Sequence, residues 1–378
     1  MIYVNTPELL REATDMLAPH EWVALDTEAD SLHHFEEKLS LVQLSVPGSD
    51  FVIDPLAKVD LEPLVAVLRQ KSVIVHGADF DIKIINKNYP FIPVRVFDTL
   101  IAASLLGYPK QGLADLALRH CGVSLCKKAQ KADWSKRPLS EPLLEYAAND
   151  THYLTVIKNA MEAELIGRER LGWHTELCQR LLDNIRCPKK NIKDPADGER
   201  SWQIAGSRKL SGRGLTILRQ LWLWRADEAK LKDRPFFKVL GADYMLDLAE
   251  WAQKHPGQDV ERWASAPRHL RGVYRSTINE VLAKAQAMPE AVYEHKKPAR
   301  PRRQWSAVQH QRYAALKEAR QKLAHTIGIA PNVIATNSIL DIIATEGPRD
   351  IEALRALGCL MNWQIEVAGE TLLKEIVP

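Results

Sequence analysis

Four short β-rich runs, separated by turn signals and helical patterns, constrain this chain most. They are WVALD (residues 22–26), SLVQLSV (40–46), FVID (51–54) and SVIVH (72–76). A Pro47-Gly48 turn signal parts the second from the third, and a helical stretch over 61–69 precedes the fourth. Runs of this kind alternating with helices call for a shared sheet, so residues 1–190 are expected to form an α/β domain. From Ser140 the pattern turns helical, with Ser140 placed as N-cap and Pro142 in the first turn, where its missing N–H costs nothing.

Past this domain the chain changes character. A break begins at Cys187-Pro188 and runs through Pro195, Gly198 and Gly206. A helical section over 208–290 follows. The segment HKKPARPRR (295–303) mixes proline with five cations, buries no apolar surface and reads as an extended linker. Residues 305–378 form a second helical section. The expected architecture is one α/β domain followed by two small all-α domains.

Charge follows the same division. The chain has 378 residues with 51 Lys+Arg, 48 Asp+Glu and a net charge of +3. Residues 1–190 hold 22 basic against 26 acidic residues, whereas 191–378 hold 29 against 22. The basic second half points to a polyanion partner. No run of about 18 apolar residues occurs, which argues against a membrane span. The N-terminal stretch reads as amphipathic, with acids early and no signal-peptide pattern. Five cysteines at spacings that match no zinc or redox motif fit a reduced, cytoplasmic protein.

Chemistry concentrates in the acids of the first section. Asp26 and Glu28 follow the strongest strand pattern, and alternate strand residues share a face. Side-by-side carboxylates repel unless a cation lies between them. Asp81 follows another strand and opens a helix, at the sheet edge where α/β sites form. Tyr146 and Asp150, four apart on a helix, share a face. Read singly, each acid also fits a solvated strand end, a helix cap or a surface position. Brought together, Asp26, Glu28, Asp81 and Asp150 would make an oxygen-rich site suited to Mg²⁺ or Mn²⁺ rather than zinc.

In order and spacing, Asp26-x-Glu28, Phe80-Asp81 after His76-Gly77, and Tyr146-x-x-x-Asp150 resemble the three motifs of the DEDD exonuclease superfamily, tyrosine subgroup. The block ADWSKRPLS (132–140), with Trp173 and Glu176 beyond it, resembles bacterial ribonuclease D. Residues 218–249 resemble the helicase-and-RNase-D C-terminal (HRDC) domain, and residues 316–344 a more diverged copy. The resemblance implies a ribonuclease-H-like fold and a metal-dependent 3′–5′ exoribonuclease that trims structured RNA, with tRNA precursors as the substrate class and nucleoside 5′-monophosphates as products. It implies two divalent ions held by Asp26, Glu28, Asp81 and Asp150, and a Tyr146 that orients or helps deprotonate the attacking water. No obligate protein partner is implied. A 3′–5′ exodeoxyribonuclease and a non-catalytic RNA-binding adaptor stand as alternatives.

Other residues divide between chemistry and packing. Arg137 can fork onto a phosphate, and Lys127, with Lys128 and Lys131, can form a basic rim; both Arg137 and Lys127 are substrate-binding candidates. His76 and His152 are expected to be structural, and Asp98 to cap the helix that follows it. Asp30 and Asp79 are decoys beside the motif acids. Trp134 is expected to pack, and Trp222, Trp224 and Tyr244 to lie in a helical core.

Overall fold

In the computed structural model the described residues are 1–126, 129–130, 132–187, 201–293 and 305–376. Lys127, Lys128, Lys131 and the 295–303 linker lie outside them. Two compact units form. The described parts of 1–29, 39–188 and 303–378 make one, and those of 30–38 and 189–302 make the other. The last helical section thus packs with the α/β domain.

The α/β domain is built on β1 (Ile2–Val4), β2 (Trp22–Ala29), β3 (Leu39–Val46), β4 (Ser49–Ile53), β5 (Ser72–Val75) and β6 (Arg95–Asp98), in spatial order β1-β4-β3-β2-β5-β6. Strand β3 runs antiparallel to β2 and β4; the β2–β5, β5–β6 and β1–β4 pairs are parallel. All eight residues of β3 are buried, as expected of an uninterrupted strand covered on both faces. Strand β2 lies centrally and continues past the predicted run to Ala29, so Asp26 and Glu28 stand within it. Two short strands were not anticipated. The amphipathic N-terminal stretch splits into β1 and helix α1 (Pro7–Leu17), capped by the Thr6 hydroxyl, and β6 forms the far edge.

Seven more helices complete the domain: α2 (Glu62–Leu68), α3 (Asp79–Asn88), α4 (Thr99–Leu105), α5 (Leu113–Cys121), α6 (Glu141–His152), α7 (Leu154–Gly167) and α8 (Leu171–Arg186). Ser140 holds the N-cap position of α6 but makes no side-chain capping bond. Buried Asp98 does more than cap α4 at Leu100 and Ile101. Its carboxylate also accepts from the backbone N–H groups of Gly77 and Ala78, fixing the turn into α3.

The C-terminal helical section (305–376) docks on this domain. Glu176 of α8 accepts from the N–H groups of Asn362 (2.8 Å) and Trp363 (3.1 Å), the first residues of helix Asn362–Lys374. Trp173 stacks on Trp363 at 4.8 Å between centroids. Arg170 donates to Leu105 O and to Ile327 O. Gly107, at φ 72°, lies so near Gly328 that a Cβ there would come within 1.9 Å of the Gly328 carbonyl oxygen. Only glycine fits at that approach.

The other unit is a helical cluster around Gly212–Leu231, Ala242–Lys254 and Arg275–Ala287, with Leu218, Leu221, Met245, Leu248 and Ile278 in its core. Trp222 and Trp224 are half-buried against that core, as expected. Tyr244 is not; it is 47% exposed and touches Trp263 only edge-on, because its helix position faces outward. Among the described residues no helix is long and apolar enough to cross a membrane.

Candidate active site

The site forms where β2, α3 and α6 converge. Strand alternation places Asp26 and Glu28 on one face of β2, and Thr27 on the other. Helix α6 packs across β2, β3 and β4. A buried hydroxyl pair, Ser45 Oγ to Thr151 Oγ1 at 2.7 Å, seats it on β3, and His152 Nδ1 pairs with Asp50 at 2.8 Å. His152 is therefore structural. This seating turns Asp150 toward β2. Carboxylate oxygens of Asp26, Glu28 and Asp150 lie within 4.8 Å of one another.

Asp81 stands beside this trio but is held differently. It is buried in the first turn of α3, and its Oδ1 accepts from Thr27 Oγ1 at 2.6 Å. Thr27 thus ties α3 to the acid-bearing strand, a role the sequence reading missed. Gln43 was also missed. It pairs with Asp26 in the β2–β3 register, is fully buried, and neither of its amide atoms has a partner among the described residues. An orphaned amide at that depth is costly unless a further group meets it.

Electrostatics at the site are unbalanced. Burial and the charges of Asp81, Asp150 and Glu28 push the Asp26 pKa well above the carboxylate range. Burial, then Asp150 and Asp81, push Glu28 up to about 8. Burial raises Asp150 to about 7. Burial also lifts Asp81, to about 6, against the Thr27 hydrogen bond, which lowers it. The surrounding cleft, about 360 Å³, is lined among the described residues by Thr27, His76, Leu125, Cys126, Gln130 and Tyr146 beside the three acids, with no Lys or Arg. His76 supplies no charge either: burial lowers its pKa, and its Nδ1 bonds Thr99 Oγ1 at 2.9 Å. Among the described residues no cationic side chain neutralises this pocket, and an all-oxygen donor set suits hard divalent ions.

Tyr146 lines the same cleft one turn before Asp150. Burial and the Asp150, Glu28 and Asp26 carboxylates raise its pKa, so it is a protonated phenol. Buried Trp134 packs against it at 6.0 Å between ring centroids. A second cleft, about 710 Å³, shares Leu125, Cys126, Tyr146 and Asp150 with the first and extends along α6 to Leu143 and Tyr153.

Arg137 does not serve as the phosphate fork that its sequence position allowed. All five of its N–H donors are engaged: Nε and Nη2 with Asp54 (2.5 and 2.6 Å), Nη2 with Ser40 O, and Nη1 with Trp134 O and Lys136 O. Asp54 also accepts from the Tyr3 hydroxyl. Lys127, the other substrate-binding candidate, lies outside the described residues. Asp79 is exposed and paired with Lys83, and Asp30 is buried, with its carboxylate accepting from the Lys38 N–H.

The chain is similar to known proteins along nearly its whole length. A 3′–5′ exonuclease family model matches residues 1–166, and an HRDC domain model matches residues 309–376. The ribonuclease D of Jannaschia sp. is 29% identical over 98% of this chain and 94% of its own. The chain belongs to the ribonuclease D family of 3′–5′ exoribonucleases. Escherichia coli RNase D, solved as an exoribonuclease involved in structured RNA processing, shares the fold with a TM-score of 0.63 at 22% identity, over 99% of this chain and 98% of that one. A Bifidobacterium adolescentis protein does so with a TM-score of 0.78 at 22% identity, over 100% and 97%. The DEDD exonucleases to which ribonuclease D belongs depend on divalent metal, and the acidic cluster supplies a donor set that fits one. The HRDC match falls on the section whose sequence resemblance to that domain was the more diverged.

Proposed function

We propose that this ribonuclease D-family chain trims the 3′ ends of structured RNA, tRNA precursors included, in the cytoplasm, releasing nucleoside 5′-monophosphates. The observation that carries the reading is the half-buried trio Asp26, Glu28 and Asp150, crowded together with no cationic side chain among the described residues to neutralise it. With Asp81 these residues would hold two divalent ions, Mg²⁺ or Mn²⁺. Bound there, such ions lower the pKa of a water and stabilise the leaving 3′ oxygen.

The rest is done by side chains. Tyr146, as a protonated phenol, can donate one hydrogen bond and accept another, which suits it to orienting the attacking water. Neutral His76 and the Thr27–Asp81 hydrogen bond hold the walls. Two adjoining clefts with shared walls give the last nucleotides of a strand room to enter. The 208–290 section would act as a first HRDC domain and 305–378 as a second, together holding the body of the RNA.

The test uses 5′-labelled RNA and DNA strands of one sequence, each with a single-stranded 3′ tail. The expected result is a ladder shortening from the 3′ end of RNA with Mg²⁺ or Mn²⁺, and none with chelator. Faster digestion of the DNA, or digestion in chelator, would overturn the reading.

A further inference from the structure

The middle helical section carries a surface that the active-site chemistry does not use. Within seven residues, Leu231 is 77% exposed, Phe237 56% and Phe236 38%. Exposed apolar side chains gathered on one surface mark interaction sites. Phe236 and Phe237 open the short helix Phe236–Val239, which buried Pro235 and Val239 anchor.

Phe236 is held rigidly. It lies near-parallel to Trp222 at 6.4 Å and edge-on to Phe35 at 5.3 Å, and the guanidinium of buried Arg225 sits 4.4 Å from the Trp222 ring and 5.3 Å from its own. The next residue, Phe237, is thereby presented outward from a fixed base.

Cations interleave with these rings. Lys230, Lys232, Arg234 and Lys238 are all exposed, and the first three have no ion-pair partner among the described residues. The one acid among them, Asp233, is taken up by His34 Nδ1 (2.8 Å) and the Phe35 N–H (3.1 Å). The patch is thus aromatic and positive together. Protein–protein interface cores are depleted of lysine, so this composition disfavours a protein partner. A ring for a base to stack on, flanked by cations for phosphates, is what single-stranded nucleic acid requires.

We infer that residues 230–238 form a stacking platform for a single-stranded stretch of the RNA substrate, with a base on Phe237 and phosphates on Lys232 and Arg234. The inference rests on the exoribonuclease reading, since it takes the polyanion to be that enzyme's substrate. Stacking is sequence-tolerant, so the platform grips RNA without selecting bases.

The test measures affinity of the full-length protein for a single-stranded RNA, in chelator so that nothing is cut, across a salt series. Phe237→Ala weakens binding about tenfold, and Phe237→Trp retains it. Lys232→Gln with Arg234→Gln also weakens it and lowers the salt slope by about one per lost phosphate contact. Val273→Ser, which changes an exposed residue outside the patch in the same unit, leaves affinity as it was. Melting temperatures are compared throughout, and the Trp variant guards against misfolding. Wild-type affinity in both the Phe237→Ala and the double variant overturns the platform. So does a dimer of the wild-type chain that Phe237→Ala dissolves, which would assign the patch to a second copy. Wild-type protein that fails to digest RNA when metal is restored would instead overturn the exoribonuclease reading.

Discussion

At the scale of single residues, two kinds of acid are distinguished by what surrounds them. Asp26, Glu28 and Asp150 face one another with no cation beside them among the described residues, and their pKa values are driven up. Asp54 is more deeply buried, yet its pKa lies below the carboxylate range. Burial works to raise it, and the Arg137 and Tyr3 hydrogen bonds with the Arg137 charge more than offset that. Its folded pKa being depressed, the Asp54 contribution is complete above the unfolded value of about 3.9 and disappears as pH falls through the folded value. Asp54→Asn should therefore reduce stability at neutral pH and lose less of it on acidification below pH 4 than the wild type. Acid-unfolding curves of the two proteins check this. Arg137→Ala leaves the Asp54 carboxylate buried and unpaired, at a cost of about 3 kcal/mol, the low end for such pairs because Arg137 is a quarter exposed. Denaturant titration reads that loss. The same pair shows where sequence reading stops. Asp26, Glu28, Tyr146 and Asp150 were legible because strand and helix periods put near neighbours on one face. The partner of Arg137 lies 83 residues away, and that of Asp81, Thr27, lies 54 away. No local period carries either pairing.

At the scale of elements, helix α6 decides the site. It brings Tyr146 and Asp150 to the sheet, and its seating depends on a few contacts with β3 and β4. Thr151→Val removes the buried hydroxyl that meets Ser45, while Ser45 keeps its bond to Asp50. The expected cost is about 1 kcal/mol of stability. Because α6 would shift against β2, kcat should fall several-fold with KM little changed. Steady-state kinetics beside a thermal melt separate that outcome from simple destabilisation. Element type was legible for the long patterns. It was not legible for β1 and β6, which span three and four residues and gain their pairing only from strands already in place.

At the scale of the whole molecule, chain order and spatial order part company. The sequence breaks marked three sections, but the last docks on the first through Glu176, Trp173 and Arg170. A break in composition records where the chain leaves a core, and says nothing about which surface a later section returns to. Trp173 and Glu176 were noted for the helix they share, and the dock they form needed a partner at residues 362–363. Glu176→Ala should uncover the first N–H groups of helix Asn362–Lys374 and cost roughly 1 kcal/mol, by analogy with losing a helix cap. Hydrogen exchange should quicken in the first turn of that helix and stay unchanged in Gly212–Leu231; equal protection in the first turn would show that the carboxylate is dispensable there.

On the proposed reading, the basic surplus of the second half would hold the RNA, and the acids of the first would hold the metal. That division is tested most directly by digestion of a 5′-labelled, 3′-tailed RNA with saturating Mn²⁺, comparing the wild type with Asp26→Asn and Asp150→Asn at matched RNA affinity. We expect stepwise shortening from the 3′ end by the wild type and a loss of at least a thousandfold in either variant, with RNA still bound. Digestion by either variant at the wild-type rate would contradict the assignment of these carboxylates as the metal-holding centre of the enzyme.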